Sequence, residues 1–187
     1  MQGGAKIERA RDLFEQALEK CPAKYCKPIL LMYGQMEEEH GLARRAMKIY
    51  ERAIKLLPPA DRFEVSAFDA STRSDADCAS RPIQMYTFYV AKVAANFGLA
   101  ATRPIYEQAV ETLPDRQTAE MCLRFAALER KLGEVDRARA IYKHASQFCD
   151  PRIRPDFWQE WNSFEIDTGS EDTFREMRES FGSYLIP

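Results

Sequence analysis

The chain has 187 residues, 45% of them hydrophobic, with 27 basic and 29 acidic side chains and a net charge of −2. That is ample apolar material for a core, and the near-neutral balance excludes a surface built as a whole to attract nucleic acid or membrane. No apolar run approaches the roughly 20 residues that span a bilayer, and the N-terminus lacks the basic-then-apolar layout of a secretion signal.

After Met1-Gln2-Gly3-Gly4 the spacing predicts a helix over 7–20, carrying Ala10, Arg11, Phe14, Glu15 and Ala17. The same grouping returns as Ala46, Tyr50, Glu51 and Ala53, then as Arg103, Tyr106, Glu107 and Ala109, then as Ala138, Arg139, Tyr142 and Ala145. The anchors Phe14, Tyr50, Tyr106 and Tyr142 lie 36, 56 and 36 residues apart. A grouping repeated at this period is one supersecondary unit that buries its apolar face only by stacking on its neighbours. The expected fold class is therefore all-α, an α-α superhelix of antiparallel helix pairs.

The expected units run over 5–22 (a second helix only), 24–59, 82–115, 118–151 and 155–187. In each pair the first helix ends at a glycine, as a position that needs positive φ does: Gly41, Gly98, Gly133 and Gly169. Eight residues before these glycines stand Tyr33, Val90, Phe125 and Trp161. With Phe14, Tyr50, Tyr106 and Tyr142, the aromatic members of this set form the expected repeat core. The lone helix over 5–22 implies a partner upstream, and hence a piece of a longer array.

One interval exceeds the period by 20 residues, and the excess falls at about 60–81. That stretch is rich in serine and aspartate, with Phe63, Val65 and Phe68 as its sizeable apolar side chains. The plain reading is a surface insertion, which repeat arrays accommodate between units. The functional reading is a loop whose Phe63 and Phe68 dock on a partner.

No residue set carries chemistry. The five cysteines, Cys21, Cys26, Cys78, Cys122 and Cys149, are scattered, and neither His40 nor His144 completes a zinc pattern with them. The run Glu37-Glu38-Glu39-His40 sits at a helix end, where acids oppose the dipole, and reads as a solvated face or a salt-bridge patch. The eight glycines mostly punctuate helices and form no phosphate loop. Neither an enzyme nor a cofactor, metal or small-molecule site is expected. Two basic clusters remain: Arg44, Arg45, Lys48, Arg52 and Lys55, and Arg130, Lys131, Arg137, Arg139 and Lys143. Interleaved acids blunt both. Arg44, Arg45 and Lys48, with Phe63 and Phe68, are the candidate partner-binding residues.

A first helix with a central aromatic and a glutamate before the closing glycine (Tyr33, Glu37, Gly41; Phe125, Glu129, Gly133; Trp161, Glu165, Gly169) resembles the half-a-TPR, or HAT, repeat of RNA-processing scaffolds. The following Ala138-Arg139-Ala140-Ile141-Tyr142 continues the match. The stretches 7–17, 121–126 and 131–142 are similar to the Syf class within that family. The pattern departs over 63–81 and at Pro104, which takes a place usually held by a helix former. The resemblance implies a nuclear, non-catalytic scaffold of the Prp-nineteen-associated complex in pre-mRNA splicing, tied in animals to transcription-coupled repair. Its implied partners are other spliceosomal proteins, with RNA nearby but not bound directly. The alternative is a HAT protein that binds RNA itself.

Overall fold

The computed structural model describes residues 2–56 and 75–184, with side chains over 6–22, 25–56 and 83–184. Among the described residues there are nine α-helices and no strand, in two compact units, Met1–Gly98 and Leu99–Pro187. The division falls at Gly98, inside the helix pair expected over 82–115.

The first unit holds α1 (Gln2–Lys20), α2 (Ala23–Glu39), α3 (Ala43–Lys55) and α4 (Asp75–Phe97), each packed against the next. On α3, Ala46, Met47, Tyr50, Ala53 and Ile54 are all buried. Their spacing of three and four residues draws one apolar stripe, which is what fixes the helix on α2. At the crossing, the α2 backbone comes so close that a Cβ added at Gly34 would overlap the Tyr50 ring. The small residue makes room and the large ring fills it.

Two turns between paired helices share one geometry. Gly41 and Gly133 have φ of 75° and 79°. Past them, the Leu42 and Glu134 N–H groups each reach back 2.9 Å to the carbonyls of Glu37 and Glu129. This is the six-to-one bond of a left-handed C-cap, which satisfies carbonyls that a helix end leaves open. Gly169 ends its helix differently, with φ −87° and extended ψ.

The second unit opens with a short 3₁₀ turn at Leu99–Thr102. It continues through α5 (Arg103–Thr112), α6 (Asp115–Leu132), α7 (Val135–Ala145), a 3₁₀ turn at Ser146–Phe148, α8 (Pro155–Thr168) and α9 (Glu171–Ser183). The second helix of the pair expected over 82–115 is thus a tight turn followed by α5. Pro104 lies in the first turn of α5, where its missing N–H would have had no helical partner. A continuous core joins Cys122, Ala126, Ala138 and Tyr142 to Phe157, Trp158, Trp161, Phe164 and Met177. α9 starts on a reciprocal cap: Thr173 N–H donates to Ser170 Oγ at 3.3 Å and Ser170 N–H donates to Thr173 Oγ1 at 2.8 Å.

α4 begins at Asp75, within the stretch expected as insertion. The rest of that stretch, Phe63 and Phe68 included, lies outside the described residues.

The close approach at Gly34 makes a direct prediction. Replacing Gly34 with alanine forces α2 and α3 apart and lowers stability by about 1–3 kcal/mol, as overpacking does. A thermal melt beside the unaltered chain reads it, and an unchanged melting temperature contradicts the packing.

Candidate partner-binding surface

The repeat positions face inward. Tyr33, Tyr50, Tyr106, Phe125, Tyr142 and Trp161 are buried, and Phe14 is half-buried. Across three helix junctions the rings stack face to face, each pair 19 residues apart in sequence. Phe14–Tyr33 lies at 4.9 Å and 5°, Tyr106–Phe125 at 5.1 Å and 3°, and Tyr142–Trp161 at 6.3 Å and 7°. Tyr50 instead meets Phe88 edge-on, at 5.2 Å and 88°. Val90, which stands in the aromatic register on α4, has no ring to offer.

The same three junctions each bury an ion pair. Arg11 donates from Nε and Nη2 to the two carboxylate oxygens of Glu37, at 2.6 and 2.8 Å. Arg103 does the same to Glu129, at 2.8 and 2.8 Å. Arg139 divides its Nε–H between both oxygens of Glu165, at 3.0 and 3.1 Å. The three glutamates are 1%, 0% and 2% exposed, and each lies 26 residues beyond its arginine. Trp161 Nε1–H also donates to Glu165 Oε1 at 3.1 Å. Of the two readings of the acidic run, Glu37 follows the salt bridge and not the solvated face. Its hydrogen bonds to Arg11 hold its carboxyl below the usual carboxylate range, against the opposing effect of burial. The signal in the sequence is the constant interval of 26 residues from arginine to glutamate, which the glutamates by themselves do not reveal.

The α3–α4 junction lacks this pair. Met47, buried, stands where the other helices have arginine, and Ala94 stands four residues before Gly98, where the others have glutamate. Lys92 instead reaches back to Glu38 on α2 at 2.6 Å.

Nothing among the described residues resembles a reaction centre or a metal cluster. Burial pushes the Cys122 and Cys149 thiols up to about 12 and about 11, so they remain protonated, poor nucleophiles and poor ligands. His144 stands edge-on to Phe148 at 5.3 Å, and His40 Nδ1 lies 2.7 Å from the Met36 carbonyl oxygen. The two histidines are on separate units and neither joins a nucleophile.

The two basic clusters fare differently. In the second, Arg130 pairs with Asp167, Arg137 with Glu107, and Lys143 with Glu176, at 3.7, 3.9 and 3.3 Å. Arg139 is committed to Glu165. In the first, Arg52 is taken by Glu15 and Lys55 by Glu51. Arg44, Arg45 and Lys48 are exposed on α3, opposite its buried stripe, and make no ion pair among the described residues. Three candidate residues are thus brought to one face. Exposed Tyr25 and Met32 on α2 are partner-accessible apolar side chains that sequence reasoning missed.

The glutamate-before-glycine signature, the paired helices and the stacked rings are features of a repeat family, and comparison with known families agrees. A family model described as the pre-mRNA-splicing factor Syf1/CRNKL1 C-terminal HAT repeat matches residues 1–76 and 66–183. The chain belongs to this HAT family. It is 70% identical over 175 residues to pre-mRNA-splicing factor SYF1 of Mycosarcoma maydis, a match covering 94% of this chain and 14% of that protein. It is 57% identical over 171 residues to syf1 of Aspergillus fumigatus, covering 91% of this chain and 18% of the relative. The human SYF1 is 49% identical over 175 residues, covering 94% of this chain and 18% of the relative. The chain therefore spans less than a fifth of the length of these HAT relatives.

The forks give two expected outcomes. Arg139→Met alone leaves Glu165 buried with only the Trp161 N–H, and should cost about 3–5 kcal/mol in urea unfolding. Arg139→Met with Glu165→Met removes both charges and should recover most of that loss, short of what Trp161 forfeits with its acceptor. A double variant no better than the single one contradicts the buried-charge account.

The second outcome concerns pH. Because the Glu37 carboxyl is depressed in the folded chain, the unfolded chain binds the extra proton as the solution is acidified. Its contribution is complete above the ordinary glutamate range, about pH 4.3, and is lost as pH falls through the lower folded value. Stability measured by urea unfolding should fall less steeply below pH 4.3 in Glu37→Gln than in the unaltered chain, and equal slopes would contradict this.

Proposed function

We propose that the chain is a non-catalytic protein-binding scaffold of the spliceosome, acting in the nucleus in pre-mRNA splicing as part of the Prp-nineteen-associated complex. The observation that carries this reading against direct RNA binding is the pairing of cations with carboxylates. Arg130, Arg137, Arg139 and Lys143 each hold an acidic partner, which breaks the basic stripe that a phosphate backbone would need. Arg44, Arg45 and Lys48 make a short cationic ridge beside exposed Leu42. Such a ridge fits an acidic protein segment with an apolar residue next to its charges. The names of the relatives, all splicing factors, support the process, and the repeat architecture supports a scaffold role because its periodic side chains are consumed in packing. A partner loop at Phe63 and Phe68 belongs to the same proposal.

The experiment sets an RNA titration at two salt concentrations beside a pull-down from nuclear extract. Spliceosomal proteins should be captured, and less of them by the triple variant Arg44→Glu, Arg45→Glu, Lys48→Glu. RNA should bind more weakly than micromolar near physiological salt. Tight RNA binding that falls steeply with salt, with no protein recovered, overturns the reading in favour of a direct RNA-binding HAT protein.

A further inference from the structure

The second unit repeats a charge arrangement of the first with its cations missing. Glu15, Glu19, Lys48 and Arg52 recur 92 residues further on as Glu107, Glu111, Ala140 and His144. In each unit the acids stand on one helix and the other two residues on a second, and both helices pack on a third: α1 and α3 on α2, α5 and α7 on α6. In the first unit Arg52 crosses to Glu15 at 2.9 Å. In the second, His144 turns edge-on to Phe148 and makes no ion pair among the described residues. Arg137 approaches Glu107 only at 3.9 Å, with both side chains about half exposed, and such a pair contributes little. Glu111 is exposed and makes no ion pair among the described residues.

Beyond that contact a trough of about 370 Å³ lies between α5 and α7. Cys122 and Phe125 of α6 form its floor, and half-buried Val110 and Ile141 its sides. Glu107 and Glu111 stand on the α5 rim, and the small, exposed Ala140 on the α7 rim leaves the opening wide. An apolar floor under two carboxylates is the chemistry that receives a long basic side chain. Its methylene stem buries against the floor while its cation stays at the wet rim. The same carboxylates repel a phosphate backbone, which favours protein over RNA at this place.

We propose that the trough between α5 and α7 binds a basic, aliphatic segment of another protein. A lysine or arginine of that segment sets its cation between Glu107 and Glu111, and a neighbouring aliphatic side chain enters against Val110 and Ile141. The incoming cation takes the place that Arg52 fills in the first unit. A second copy of this chain is not the occupant. Its basic ridge on α3 seated in this trough would join unlike surfaces, a head-to-tail contact that builds rings or filaments and not a discrete assembly. The trough is opposite in charge to the ridge at Arg44, Arg45 and Lys48, so it adds a second class of partner. It rests on the scaffold reading only in taking the occupant to be protein.

The test uses the whole chain and a labelled peptide, Gly-Lys-Leu-Arg-Leu-Gly, read by fluorescence anisotropy. Two control peptides carry glutamate for both basic residues, or glycine for both leucines. The first peptide should bind, and each control about tenfold or more weakly. In the chain, Glu111→Lys should cost about tenfold or more, because it sets like charges together. Ala140→Trp, which fills the trough from an exposed position, should cause a similar loss. Both variants should keep the melting temperature of the unaltered chain. Glu179→Lys, the same charge reversal on exposed α9, should change binding little. The proposal is overturned if the first peptide does not bind, if the controls bind equally, or if Glu111→Lys or Ala140→Trp changes nothing. A loss with Glu179→Lys as large as with Glu111→Lys overturns it too, by reducing the effect to net charge. So does an oligomer of the chain alone, seen by sedimentation, that Glu111→Lys disperses. If the peptide fails while nuclear extract still yields spliceosomal proteins, the trough falls and the scaffold reading stands.

Discussion

A guanidinium closed over a carboxylate between consecutive helices organises each unit. At Arg11–Glu37, Arg103–Glu129 and Arg139–Glu165 the carboxylate is out of water, and its arginine is the partner that makes this tolerable. Such a pair adds little net stability, because the cost of drying two charges offsets most of their attraction. What it adds is selectivity among packings. Leucines on two helix faces still make contact after sliding one turn, whereas a buried carboxylate moved by one turn loses its partner. The stacked rings beside each fork work in the same sense, since they meet face to face only when the forks are aligned.

The turns and the forks are joined through the same residues. Glu37 and Glu129 receive an arginine at the side chain while their backbone carbonyls accept the bond that closes the left-handed cap. One residue thus ends a helix and fixes the approach of the helix before it. This explains why the glutamate stands at a constant distance from the glycine: the cap sets where the helix stops, and the fork sets which residue must be there.

Much of this was legible in the sequence. The period of the aromatics gave the helix pairs, and Gly41, Gly98 and Gly133 gave three of the breaks, because positive φ is a local demand that glycine meets, whereas Gly169 ends its helix in an extended conformation. The individual ends were less visible: Leu99–Thr102 tightens into a 3₁₀ turn, and α4 starts at Asp75. The forks were half visible. The glutamates stand out as a motif, yet whether Glu37 in its acidic run is a solvated face or part of a salt bridge is decided only by Arg11, on another helix, beside it. On the candidate surface, Arg44, Arg45 and Lys48 could be named from the sequence. That they make no ion pair among the described residues, while Arg130, Arg137 and Lys143 do, required the pairing of distant residues to be known.

The junction of α3 and α4, with Met47 and Ala94 in place of the charged pair, follows a looser rule. In a forked junction the chain between arginine and glutamate acts as a ruler. One residue added within α2 ahead of Glu37 would swing its carboxylate about 100° around the helix axis, away from Arg11. Where no charge has to be met, greasy side chains accept many distances and angles, and the count is released. The 20 residues in excess of the period lie in that connection. Variation in the length of this protein is therefore best accommodated where its helices meet through oil and not through salt.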